Sequence, residues 1–147
     1  MLEHAGLVPT LKRHCAEVEA HHDVKVWFRA AGEGLETLNP DVALCLFRVT
    51  QEALTNAVRH ARAGAIRVEL MWTPEATDLR IIDDGIGFVP GERAGSGLGL
   101  RSIDERVRLS RGAVTLESQI GQGTTLWVRI PHQASASNNL SLRSPDL

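Results

Sequence analysis

At 147 residues the chain is long enough to bury a core of its own without metal or disulfide staples, and one domain accounts for its length. Its 43% hydrophobic and 23% charged residues are ordinary for a soluble globular protein, and a formal charge of -2 with no basic patch argues against nucleic acid as a partner. The longest apolar run, residues 42–47, falls far short of the ~20 residues that would span a bilayer, and no signal-peptide pattern opens the chain. The expectation is a soluble, cytoplasmic piece, alone or as part of a longer, membrane-anchored protein.

Residues 6 to about 20 place Leu7, Leu11, Cys15 and Val18 at helical spacing, which predicts a helix with one buried stripe. The period then changes to two: Val24, Val26 and Phe28 alternate with Lys25, Trp27 and Arg29, the pattern of a strand. A glycine-rich loop follows, and Asn39 with Pro40 makes a helix start for a long helix running to about Ala61. Ile66, Val68 and Leu70 alternate, Leu79 to Ile82 is short and apolar, Leu100 to Leu109 is helical, and Val114 to Leu116 and Leu126 to Ile130 alternate again. That order, α-β-α-β-β-α-β-β, predicts an α+β two-layer sandwich with a mixed β-sheet and helices on one face. The ordered domain is expected over residues 1–132, and the Ser- and Asn-rich residues 133–147 read as a disordered tail. Cys15 and Cys45 fall in helical segments without C-x-x-C spacing, so both are expected to be reduced and packed.

Four stretches carry chemistry. Along the long helix Arg48, Glu52, Asn56, Arg59 and His60 form a polar stripe on an otherwise apolar element, which is either a solvated stripe or a set of groups waiting for a partner. Asp83 opens a D-x-G-x-G with Gly85 and Gly87 after an apolar strand, where a carboxylate can accept from an exocyclic amine; an acidic turn is the bland alternative. Residues 95–100 form a glycine loop that runs into a helix, so that successive N–H groups and the helix dipole suit phosphate oxygens. Gly121 to Thr125 precedes the last strand, and taken alone it reads as a hairpin turn.

In this order the four motifs, E-x-x-x-N, D-x-G-x-G, G-x-G-L-G-L and G-x-G-T, resemble the N, G1, G2 and GT boxes of the GHKL ATPases: gyrase, the heat-shock-90 chaperone, the MutL mismatch-repair protein and histidine kinases. Within them, QEALTNAVRHA, IIDDGIGF, GLGLRSIDERV and GTTLWVRIP resemble the nitrate-sensor and DesK-like subgroup of two-component sensor kinases, from about Leu7 to Pro131. The resemblance implies the Bergerat ATP-binding fold, with ATP and Mg2+ as ligands. It further implies that Asn56 binds Mg2+, Asp83 the adenine amine, Gly85 and Gly87 the adenine surroundings, and Thr124 the base side of the pocket. Gly97 and Gly99 would meet the phosphates, with Gly95, Leu98 and Leu100 completing that loop, and Arg59 and His60 stand where the family places phosphate-side contacts. Glu52, one turn before Asn56, would orient or deprotonate the nucleophile; the alternative is a structural carboxylate paired with Arg48 or Arg59.

As a kinase of this kind the chain would transfer the γ-phosphate of Mg-ATP to a histidine on a dimerisation segment absent from it, with a response regulator downstream. Only His22-Asp23 imitates a phosphoacceptor pair, and at a helix-to-strand boundary it reads better as a surface histidine. Residues 88–97 would be the lid over the phosphates. The competing readings are an anti-sigma-like serine kinase that sequesters a protein and a non-catalytic nucleotide sensor. Arg101, Arg106, Arg108 and Arg111, interleaved with Asp104 and Glu105, read as a solvated helix face rather than a nucleic-acid surface.

Overall fold

The computed structural model describes residues 6–87 and 100–132. The expected tail, the lid and the loop glycines Gly95, Gly97 and Gly99 with Leu98 lie outside the described residues.

Helix α1 spans Leu7–His21 and buries Leu7, Leu11 and Cys15, which stand four residues apart and so share one face. Strand β1 (Lys25–Ala31) follows, and a 3-10 turn (Leu35–Thr37) leads to α2 (Pro40–Thr55). The start of α2 is set by its sequence: the Asn39 side chain accepts the Asp41 N–H at 2.7 Å, and Pro40 occupies the first turn, where its missing N–H costs nothing. The helical path does not end at Thr55 but widens into a single π turn, Asn56–His60, closed by Ala61 N–H to the Asn56 carbonyl at 3.0 Å. Beyond it, strands β2 (Ala65–Trp72) and β3 (Ala76–Asp83), helix α3 (Leu100–Leu109), and strands β4 (Ala113–Gln119) and β5 (Gly123–Pro131) complete the order expected from the sequence.

The five strands form one mixed sheet in the order β1-β2-β3-β5-β4. Strands β1 and β2 are parallel, as they must be when α2 connects them as a crossover, and the remaining pairs are antiparallel. Strand β3 is twice as long as its apolar centre suggested, because it pairs on both sides and its Ala76 and Thr77 are buried as well as Leu79 and Ile81.

Alternation gives the sheet two unlike faces. On one, Ile66, Val68 and Leu70 join Leu79, Ile81, Leu126 and Val128 in a core with Leu46, Val49 and Ala53 of α2 and Ile103 and Val107 of α3. Each fully buried aliphatic side chain there stabilises the fold by roughly 1.5–3 kcal/mol, so this layer dominates the energetics. The other face carries exposed Trp27, Met71 and Trp127 and the cross-strand ion pairs Arg80–Glu69 (3.0 Å) and Arg129–Asp78 (2.9 Å). Such exposed pairs contribute at most about 1 kcal/mol each and do not hold the layers together. Cys15 and Cys45 are both free and buried, as expected, and burial pushes the Cys15 thiol up to about 12.

Candidate nucleotide site

Through its middle rows the helix-covered face of the sheet is apolar, and at one end it turns polar. Val68, Ile81, Leu126 and Leu116 stand in register across four strands, and the next inward row toward the end of the sheet is Ile66, Asp83, Thr124 and Ser118. Three of those four residues are polar in positions where strand alternation demands hydrophobic ones. Polar groups in such places require partners, and the partners mark a site.

Asp83 ends β3 half-buried. Its Oδ1 accepts the Gly85 N–H at 2.8 Å, and the Thr124 main-chain N–H also bonds to the carboxylate. Burial pushes its pKa up, the two N–H bonds oppose that rise, and the neighbouring Asp84 charge adds to it. The result is a carboxylate held rigidly by the protein through its backbone neighbours at the edge of the core.

Asp84 points the other way. Its Oδ1 accepts the N–H groups of Gly64 (2.8 Å) and Ala65 (2.9 Å), and its own N–H donates to the Ala65 carbonyl at 3.2 Å. The loop after Asp83 is thereby tied to the start of β2. Ile86 N–H to the Ala61 carbonyl (2.8 Å) ties the same loop to the end of the π turn, and Gly121 N–H to the Ile86 carbonyl (2.6 Å) ties it to the β4–β5 hairpin.

These contacts explain the glycines differently from the approach of a ligand. A Cβ on Gly85 would meet Ala61, one on Gly87 would meet the Gln119 carbonyl, and one on Gly123 would meet the Asp83 carbonyl. Gly87 and Gly123 also have φ of 71° and 84°, a left-handed backbone that favours glycine. The D-x-G-x-G and G-x-G-T stretches are therefore packed on each other, main chain to main chain, and the second forms the β4–β5 hairpin turn.

Glu52 and Asn56 are half-buried and one turn apart, as the sequence placed them, while Arg59 and His60 are exposed. The regular stripe stops at Asn56. A π turn rotates each residue by less than an α turn does, so His60 falls behind the line of Glu52 and Asn56. Arg48 donates to Gln51 at 3.0 Å rather than to Glu52, and Glu52 makes no ion pair among the described residues. Leu100, the first residue of α3, is half-buried against the core, and His22 is exposed.

Sequence reasoning does not single out two polar residues found here, Ser118 and Asp84. Ser118 is 8% exposed, and its hydroxyl lies 2.7 Å from that of Thr124. The signal was there: inward positions of β4 run Val114, Leu116, Ser118, and the last breaks the apolar alternation. Asp84 occupies the variable position of the D-x-G-x-G, which the motif leaves unspecified.

Comparison with known proteins bears on the family and the fold. The family described as "Histidine kinase-, DNA gyrase B-, and HSP90-like ATPase" matches residues 41–134. The signal transduction histidine-protein kinase/phosphatase DegS of Bacillus subtilis (strain 168) is 35% identical over 135 residues, covering 88% of this chain and 35% of that protein. DegS of Brevibacillus brevis is 34% identical, covering 88% of this chain and 33% of its own length. The chain thus spans about a third of the length of these curated relatives. Among solved structures, the histidine kinase domain of the blue-light activated histidine kinase from Erythrobacter litoralis EL346 superposes with a TM-score of 0.71 at 21% identity, covering 89% of this chain and 63% of that one. The mycobacterial sensor histidine kinase MprB gives 0.63 at 22% identity, over 85% of this chain and 93% of that one. At those identities the superpositions speak for the fold, while the sequence matches speak for the family. The chain belongs to the histidine kinase-, DNA gyrase B- and HSP90-like ATPase family and is an ATP-binding domain of the histidine-kinase kind.

Proposed function

We propose that the chain is the catalytic domain of a sensor kinase, binding Mg-ATP at the polar end of the sheet and passing the γ-phosphoryl group to a histidine on a dimerisation segment, for onward transfer to a response regulator. The observation that carries this reading is Asp83, a half-buried carboxylate fixed by the N–H groups of Gly85 and Thr124 in the polar row that borders the apolar core. A rigid acceptor beside apolar walls suits the amine edge and flat faces of adenine.

The other roles follow by position. Asn56 offers a carbonyl oxygen at the widened turn, the hard donor that Mg2+ accepts. Among the described residues no group of three or more His, Cys, Asp or Glu could hold a metal, so the phosphate oxygens and water would supply the rest of the shell. When bound, the ion neutralises charge on the phosphates during transfer. In that step an imidazole nitrogen attacks the γ-phosphorus, the bond to the bridging β,γ-oxygen breaks, and ADP leaves; Glu52 accepts the imidazole proton. Arg59 and His60, exposed at the end of the helix, would contact phosphate oxygens, and Gly95, Gly97, Leu98, Gly99 and Leu100 would enclose them. Residues 1–132 would form the working domain. No helix among the described residues is long and apolar enough to cross a membrane.

The test is transfer in trans. Labelled ATP, the chain and a separately produced pair of dimerisation helices bearing the histidine should yield acid-labile phosphohistidine on the helices, and Glu52→Gln should slow its formation by at least about tenfold. ATP binding without transfer to any such partner would leave a nucleotide sensor.

A further inference from the structure

We propose that Ser118 is a positioning residue for recognition of the base: its buried hydroxyl fixes that of Thr124 beside Asp83. The inference rests on the ATP-site reading above and adds a residue that none of the four motifs contains.

Three observations meet here. Asp83, Thr124 and Ser118 are directly paired across β3, β5 and β4, so their side chains share one face and one row. The Ser118 hydroxyl lies 2.7 Å from Thr124 Oγ1 and 3.2 Å from the Gly123 carbonyl oxygen, and its one hydrogen can reach either. It is also buried at a strand position where Val114 and Leu116 set an apolar pattern, and alanine there would leave no hydroxyl to satisfy.

A hydroxyl has one hydrogen and two lone pairs. When Ser118 donates to Gly123, Thr124 donates to Ser118 and turns its lone pairs outward; when Ser118 donates to Thr124, the Thr124 hydrogen turns outward. In both cases one side of Thr124 is occupied by Ser118, and the other is presented in a fixed direction next to the Asp83 carboxylate. Without Ser118 the Thr124 hydroxyl rotates freely, and its contact with a base is lost on average. Adenine, whose amine meets Asp83, is held in the plane where that contact counts. Hypoxanthine carries a carbonyl at the same position, cannot satisfy Asp83, and gains little from the alignment.

The experiment is a double-mutant cycle read by calorimetry with ATP and inosine triphosphate on the full chain. Ser118→Ala should weaken ATP binding by about fivefold to tenfold, the change that one ordinary hydrogen bond makes. Its effect on inosine triphosphate should stay within about twofold, and in a Thr124→Val background Ser118→Ala should cost ATP binding less than about twofold. Ser118→Cys keeps the shape but replaces the hydroxyl with a weak donor; it should match the alanine variant and carries the test if Ser118→Ala does not fold. Equal losses for both nucleotides, an undiminished loss in the Thr124→Val background, or normal ATP affinity in Ser118→Cys would overturn the positioning role alone. Absence of ATP binding by the unaltered chain would remove the ATP site and this role together.

Discussion

The missing Cβ of Gly85 points straight at Ala61: placed there, it would stand 2.5 Å from the Ala61 Cβ and 2.5 Å from its carbonyl oxygen. The D-x-G-x-G loop and the end of the π turn are thus in main-chain contact, and the distance between Asp83 and Asn56 depends on that contact. Gly85→Ala must push the loop off the turn, since neither the Ala61 Cβ nor its carbonyl belongs to a flexible side chain. The expected outcome is a stability loss of about 1–3 kcal/mol in urea unfolding, accompanied by loss of ATP binding. A Gly85→Ala variant with unchanged stability and affinity would show that the contact yields.

Asp84 should matter for stability through its acceptor oxygen rather than its charge. Its Oδ1 holds two N–H groups, of Gly64 and Ala65, across a sequence gap of about twenty residues. Asp84→Ala is expected to cost about 1–2 kcal/mol, and Asp84→Asn, which keeps an oxygen in place, less than half of that. Equal losses in the two variants, measured by chemical unfolding, would assign the effect to charge.

Acid titration should act on folding and binding in opposite directions. Asp83 has a folded-state pKa raised above its unfolded value, chiefly by burial. Between those two values the folded protein binds more protons than the unfolded chain, so this group's contribution to stability is greatest at low pH and falls as pH rises through the window. ATP affinity should rise over the same interval, as the carboxylate becomes the stronger acceptor. In Asp83→Asn both slopes should lose this component, which parallel unfolding and binding series from acid to neutral pH will show.

Thr77 is fully buried on β3, and its hydroxyl oxygen has no hydrogen-bond partner among the described residues. Thr77→Val keeps the branched shape and removes the unsatisfied group. Thermal unfolding should show stabilisation of about 1 kcal/mol. Destabilisation would mean that the hydroxyl is satisfied.

The parts of the fold that could be read from the chain are those with local causes. Asn39 and Pro40 mark the start of α2 because cap and proline act within three residues, and alternation revealed the strands because one face of the sheet is buried. The π turn was not legible: Asn56 to His60 carries no residue that forbids an ordinary helix, and the widening is visible only where Ala61 and Ala63 reach back to Asn56 and Ala57. The same holds for the glycines. Their spacing draws attention to these loops, yet the reason for Gly85 and Gly123 lies in Ala61 and Asp83, neighbours that only the register and the fold supply. Ser118 joined Asp83 and Thr124 only once the β3–β5 and β5–β4 pairings were known.

The most direct measurement is calorimetric titration of the chain with ATP, with and without Mg2+, alongside Asp83→Asn. Saturable binding that needs Mg2+ for full ATP affinity, weakened at least about tenfold in Asp83→Asn, is the expected result. No binding at millimolar nucleotide, or an affinity that Asp83→Asn leaves unchanged, would contradict an adenine site built on the polar end of the sheet.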